Sequence, residues 1–308
     1  MAVDTGVPVE LLDRALGAYL GLALGDALGA TVEFMTPREI ALRFADQGGI
    51  HRRIIGGGWL ALPPGQVTDD TTMSLALGSA LIEGARRDKL GDARLIAEAF
   101  VAWWRGKPVD CGNTCRRGIQ RFIRTGALFT PPNEGDAGNG ALMRNLPAAL
   151  ATLGDDEAFK RVSMAQAHLT HNHRLSDAAV LGLGHLLRLQ LTGADAATMA
   201  QRAARLAQEQ PAFRFDPYPG RASAYVVDTV QTVLWAFTRH ADFEEAVQAA
   251  VNRGEDADTT GALVGMLAGA RCGAGALPRH WLKRLAAPVA QAITAQTPAL
   301  LALSQPRR

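Results

Sequence analysis

Apolar residues recur along this chain at three- and four-residue spacings, and strict alternation of apolar with polar positions is scarce. That pattern belongs to helices that bury one face, and it predicts an all-α fold. It places helices over 11–31, 71–84, 93–105, about 113–125, 140–153, 156–169, 175–192, 195–209, 222–238, 241–252, 277–286 and 288–303. Thr36-Pro37-Arg38-Glu39 reads as a further helix start, with Thr36 as cap and Pro37 in the first turn. Gly56-Gly57-Gly58-Trp59, Pro63-Pro64-Gly65 and the stretch 131–140 read as irregular connections. No GK[ST] follows the glycines at 56–58, so they do not form a phosphate loop. With no tandem repeat and no linker composition, the expectation is a single compact domain over residues 1–308, with helices around a cleft.

Two predicted helices break the ordinary amphipathic pattern. Glycines stand at 17, 21, 25 and 29, and again at 261, 265, 269 and 273. Glycine costs about 1 kcal/mol relative to alanine inside a helix, so such repetition needs a packing reason. A ridge of glycines every fourth residue lets a second helix come unusually close. Both helices, about 11–31 and 259–273, are therefore expected to be central and buried. Asp26 lies on the first of them and must then find hydrogen-bond or charge partners.

The candidate chemistry sits at two polar turns far apart in the chain. GQVTDDTTM carries Thr68, Asp69 and Asp70; NRGEDADTTG carries Asp256, Asp258 and Thr259. Each precedes a helical stretch, so each side chain has a simple alternative role as a helix cap. Together they would bring four carboxylates and two hydroxyls to one point, a hard-oxygen set suited to Mg²⁺, Mn²⁺ or Ca²⁺ rather than zinc. An EF-hand is excluded, because Leu267 stands at loop position twelve where a bidentate glutamate is required. A DDxxD motif fails as well, because its last position is Met73.

Composition narrows the class. The chain has 308 residues, 48% of them hydrophobic and 20% charged, which suits a globular protein. A net charge of +2 argues against a nucleic-acid-binding protein. Three cysteines give no disulfide framework and fit a reducing cytoplasm; Cys111 and Cys115 lack a second pair and read as small core residues. The first fifteen residues lack the basic start of a signal peptide, and no apolar run reaches the length of a membrane span. The predicted helix near 113–125 carries Arg116, Arg117, Arg121 and Arg124, either a solvated basic face or a docking surface for an acidic partner. His171-Asn172-His173 is a weak metal motif without matching ligands nearby.

The ordered set TDDTTMSLALG, VDCGNTCRRGI, EGDAGNGALMRNLPAAL, THNHRLSDAA, SAYVVDTVQTVL and NRGEDADTTGALVGMLAGA resembles the ADP-ribosylglycohydrolase family, from about Arg14 to past Trp281. Within it the chain looks most like the branch that activates dinitrogenase reductase. The resemblance implies an all-α fold with two divalent ions, Mn²⁺ or Mg²⁺, held by Thr68, Asp69, Asp70, Asp256, Asp258 and Thr259. It implies hydrolysis of the bond between ADP-ribose and an arginine side chain of dinitrogenase reductase. The resemblance implies catalytic roles for Asp110, matching an aspartate that acts at the ribose as acid/base, and for Glu33, matching a glutamate near the metals that gates or orients water; the alternatives are a helix cap and a surface carboxylate. Substrate contacts map onto Asn113, Glu134, Asp136, Gly138, Asn139, Gly140, His171 and Tyr225, the last of which would stack on adenine or fill the core. The branch also implies a PII-type nitrogen-signalling partner and, with it, reversible recruitment of a cytoplasmic protein to the membrane ammonium transporter. Two positions depart from the pattern: Glu255 replaces a glycine, setting another charge beside the metals, and Thr72 replaces a glutamate. Loss of activity, leaving an ADP-ribose-binding regulatory module, and action on another ADP-ribosyl linkage are the competing readings. The intact ligand set favours the hydrolase.

Overall fold

The computed structural model describes residues 7–305. In chain order its helices are α1 (Val9–Gly29), α2 (Pro37–Arg43), α3 (Asp69–Arg86), α4 (Ala93–Arg105), α5 (Asn113–Thr125), α6 (Leu146–Ala151), α7 (Asp156–Ala167), α8 (Arg174–Leu191), α9 (Ala196–Glu209), α10 (Val226–Arg239), α11 (Phe243–Val251), α12 (Ala257–Cys272), α13 (Arg279–Leu282) and α14 (Ala287–Leu303). Among the described residues there is no β-strand, only the isolated bridges Gly57–Leu62 and Gly138–Tyr225. The all-α expectation holds.

The fold is built on α1 and α12, which run antiparallel with their glycines interlocked. Gly17 meets Gly269, Gly21 meets Gly265, Gly25 meets Gly261, and Gly29 meets Ala257. A Cβ on Gly261 would lie 2.7 Å from the Gly25 carbonyl oxygen, closer than any real side chain approaches. Backbone against backbone leaves no room for even a methyl group, which is the reason for the four-residue spacing. Every residue of α12 from Ala257 to Ala270 is buried, as is α1 from Gly21 to Gly29. Gly273 is the exception to the ridge: it caps the end of α12 with φ of +78°, and a Cβ there would strike the Asp13 carboxylate. Helices α3, α8, α10, α11 and α14 pack around the pair, and the buried apolar side chains join into one cluster.

Helix boundaries follow local chemistry. Thr36 and Glu39 form a reciprocal capping box that starts α2, with Pro37 at its first position. The stretch predicted as 140–153 is helical only over Leu146–Ala151, because Pro147 fixes the first turn there. The stretch predicted as 222–238 begins only at Val226; before it, the Ala222 and Ala224 carbonyls accept from the Asp256 and Asn139 amides. The C-terminal 277–286 keeps only the short α13.

Candidate active site

The N-termini of α3 and α12 meet beside the last turn of α1. Thr68 and Asp256 occupy the two N-cap positions, yet neither side chain caps its helix. Thr68 Oγ1 instead lies 3.3 Å from Asp258 Oδ2 and 3.5 Å from Asp70 Oδ2, and Thr259 Oγ1 donates to Asp70 Oδ2 at 3.3 Å. The capping alternative therefore fails for both clusters. Asp26 does that work for α3 from the neighbouring helix. Its carboxylate accepts from the amides of Thr68 and Thr71 and from Thr71 Oγ1, which answers how it tolerates complete burial.

Asp69, Asp70, Asp256 and Asp258 are all buried, and Asp70 Oδ1 has no hydrogen-bond partner. Glu33 joins them from the turn after α1: one carboxylate oxygen from each of Glu33, Asp256 and Asp258 lies within 4.8 Å of the others. Glu33 is buried, so the surface-carboxylate alternative is excluded. Desolvation, and after it repulsion among these groups, raises every one. Glu33 is pushed to about 8, Asp69 to about 7 and Asp256 to about 6, while Asp70 and Asp258 stand well above the usual carboxylate range. Crowded, dry carboxylates with an orphaned oxygen fit a divalent cation among them.

A cleft of about 540 Å³ opens onto this cluster. Asp110 lines it, half-buried, with Oδ1 accepting from the Cys111 amide at 2.7 Å. Helix α5 begins later, with Gly112 at its N-cap, so Asp110 is not its cap; burial raises its carboxyl above the ordinary value. Asp69 Oδ2 accepts from the Gly112 amide at 3.1 Å and so ties the start of α5 to the acidic cluster. Asn113, Thr114 and Arg116, from the first turn of α5, form another part of the wall; Arg116 is the one cationic residue lining the cleft among the described residues.

Gly138, Asn139, Gly140 and His171 also line it. Asn139 Nδ2 donates to Asp256 and to Thr229 Oγ1, fixing the orientation of that carboxylate. The glycines make room for His171: a Cβ on Gly140 would lie 2.9 Å from the imidazole and 2.8 Å from Cys115 Sγ. Burial lowers His171 to about 3, keeping the ring neutral beside the cleft, with Nδ1 2.8 Å from Thr170 Oγ1. His173 turns away, accepting from the Leu175 amide and reaching Glu134, so the two histidines share no metal.

Three predicted substrate contacts fall outside the cleft wall. Glu134 is exposed and touches His173. Asp136 is buried in a side pocket of about 210 Å³ beside Arg117 and Arg121, paired with Arg117 at 2.9 Å, and its Oδ2 has no partner. Tyr225 is exposed at the rim, its backbone paired with Gly138 next to the lining residue Ala224, so it does not fill the core. Glu255 does not line the cleft: at φ of +51° its carboxylate accepts from the Ala222 amide at 2.8 Å, and its charge bears less on Asp256 than burial or the charge of Asp110. That left-handed backbone accounts for a glycine being usual there. Thr72 accepts from Trp103 Nε1 at 3.0 Å and donates to the Thr68 carbonyl at 2.9 Å.

Two contributors carry no mark in the sequence. Arg144 is fully buried beneath the site, donating to Gln166 Oε1 and Thr170 Oγ1, with its guanidinium 4.4 Å from the centre of the Phe100 ring. Trp59, in the glycine-rich loop, donates from Nε1 to Glu33 Oε2 at 2.6 Å.

The family described as ADP-ribosylglycohydrolase has a sequence model that matches residues 8–308. The chain belongs to this family. It is 53% identical over 292 residues to the ADP-ribosyl-[dinitrogen reductase] glycohydrolase of Rhodospirillum rubrum, covering 95% of this chain and 97% of that one. It is 33% identical to the ADP-ribosylarginine hydrolase Tri1 of Serratia proteamaculans, over 90% of this chain and 76% of that protein. A solved structure titled ADP-ribosylglycohydrolase-related protein complex superposes with a TM-score of 0.82 at 35% identity, covering 96% of this chain and 99% of that one. Among the described residues no helix is long and apolar enough to cross a membrane.

Proposed function

We propose that this chain, acting as one domain, is a metal-dependent hydrolase that removes ADP-ribose from a modified arginine of dinitrogenase reductase and so restores that protein. The observation that carries the reading is the buried carboxylate cluster at the floor of the cleft. Asp256 and the adjoining Thr68 sit at helix caps without capping, and one carboxylate oxygen lacks any partner. Such an arrangement is costly in a protein unless a cation uses it. The near-full-length likeness to the Rhodospirillum rubrum glycohydrolase supports the substrate.

Thr68, Asp69, Asp70, Asp256, Asp258 and Thr259 would hold two divalent ions, Mn²⁺ or Mg²⁺. Bound there, the ions supply Lewis acidity toward ribose hydroxyls and an activated water. The chain's own residues do the rest. Arg116 and the uncapped amides at the start of α5 offer positive charge to the diphosphate. Asp69 anchors that helix start to the cluster, and Asn139 orients Asp256. As the C1–N bond breaks, positive charge develops on the ribose and the surrounding carboxylates stabilise it. Water delivers hydroxyl to C1, and the departing guanidine leaves with a proton. Asp110 lines the cleft with a raised carboxyl, suited to hold and return a proton at the ribose.

Association with a PII-type nitrogen-signalling protein rests on the branch resemblance, as do a cytoplasmic location and membrane recruitment through an ammonium transporter. A pull-down across nucleotide conditions that recovers no PII-type protein would count against that part. Release of ADP-ribose from arginine-modified dinitrogenase reductase tests the activity itself.

A further inference from the structure

Two large aromatic side chains stand in the open at the lip of the cleft. Phe34 is 65% exposed and Trp59 54% exposed, and both line the cavity. Their ring centroids lie 5.2 Å apart with the planes inclined at 56°. Phe34 adopts φ of +62°, a conformation that a bulky residue rarely takes, and its amide is held by the Glu255 carbonyl at 2.6 Å. Trp59 is delivered by Gly56, Gly57 and Gly58, all at positive φ; a Cβ on Gly58 would collide with the Ala30 carbonyl. Exposing two aromatic faces, one of them from a strained backbone, does nothing for folding. One edge of the pair is nevertheless tied into the site, because the Trp59 indole N–H donates to Glu33 Oε2.

The charges in the cleft run in an order along connected groups. Asp69 is tied to the start of α5, where Arg116 and free amides favour an anion. Asp70, Thr68 and Asp258 follow through their shared contacts, and Asp258 lies against Glu33, which carries the aromatic pair. An arginine-linked ADP-ribose has the same order: an anionic diphosphate, a ribose, then a cationic planar guanidinium. Aromatic faces and a neighbouring carboxylate are what a guanidinium seeks.

We propose that Phe34 and Trp59 form the leaving-group subsite for the guanidinium side of the scissile bond, and that Trp59 is the positioning residue for Glu33. The proposal rests on the hydrolase reading and adds to it which residues distinguish an arginine-linked substrate from ADP-ribose alone.

The test compares steady-state hydrolysis of arginine-linked ADP-ribose on dinitrogenase reductase with binding of free ADP-ribose, in the Mn²⁺-loaded protein. Phe34→Asn removes the ring while suiting the left-handed backbone. It should raise KM about 3–30-fold through loss of the cation–π contact and leave the Kd for ADP-ribose within about twofold. Trp59→Phe keeps an aromatic face and removes the donor. It should lower kcat about tenfold or more with little change in KM, because Glu33 loses its orientation. Unchanged ADP-ribose binding also certifies that each variant is folded. A KM within twofold of wild type for Phe34→Asn, or an equal loss of affinity for ADP-ribose, would overturn the subsite. Wild-type kcat in Trp59→Phe would overturn the positioning role. No turnover by the wild-type chain would instead overturn the hydrolase reading, and the subsite with it.

Discussion

At the residue scale the proposed function gives Asp110 and Asp258 different jobs, and their variants should fail differently. Asp110 accepts only a local amide and lies outside the clustered oxygens. Asp110→Asn should lower kcat by about 10²–10⁴, the usual cost of removing a general acid or base, with Mn²⁺ affinity nearly unchanged. Its melting temperature should stay near wild type, since Gly112, not Asp110, occupies the helix cap. Asp258 is packed against Thr68 and near Glu33 and Asp256. Asp258→Ala, like Asp69→Ala, should abolish Mn²⁺-dependent hydrolysis while calorimetry shows a folded protein. Retained activity at limiting metal would remove that side chain from the ion's shell. Asp69 and Asp258 were visible in the sequence because two dense clusters of one ligand class recur at helix starts; Asp110 stood out only through the family resemblance. Trp59 and Arg144 were not, because a tryptophan after glycines and an arginine before an asparagine announce no partner; only the fold brings Trp59 to Glu33 and Arg144 to Gln166 and Thr170.

The glycine ridges make the firmest prediction at the scale of elements. The α1–α12 contact is backbone on backbone, so a single methyl has nowhere to go. Gly265→Ala gains about 1 kcal/mol of helix propensity yet should destabilise by about 1–3 kcal/mol net through overpacking. By contrast, Gly112→Ala, at a position with open space, should be nearly neutral. Thermal melts of both variants check this; a stabilised Gly265→Ala would contradict the interlock. The spacing alone placed these helices at the centre, because four-residue repetition of so costly a residue has few other uses. It could not separate Gly273, which ends α12 with a positive φ. Nor could apolar spacing place the starts of α6 and α10, which Pro147 and the contacts of residues 222–225 decide.

For the whole molecule, folding concentrates carboxylates at one point, which the proposed metal ions would neutralise. Without metal, the folded-state values of Asp26 and Asp256 stand at about 6, Asp69 at about 7 and Glu33 at about 8, all raised first by desolvation. In the unfolded chain such groups titrate near 4. The folded state therefore holds more protons between roughly pH 4 and 8, and stability must fall as pH rises through that window. The metal-free protein should show a declining melting temperature from about pH 5 to 8. Saturating Mn²⁺ should flatten that decline and release protons on binding. A metal-free protein whose melting temperature rises across the same range would contradict the charge assignment.

All of this converges on one reaction. The most direct measurement is release of ADP-ribose from arginine-modified dinitrogenase reductase by the purified chain, with Mn²⁺ and after its removal by chelation. Time-dependent release and recovery of unmodified arginine are expected with metal, none after chelation, and return on adding Mn²⁺ back. Equal release in the chelated protein, or none in the loaded one, would contradict the proposed function.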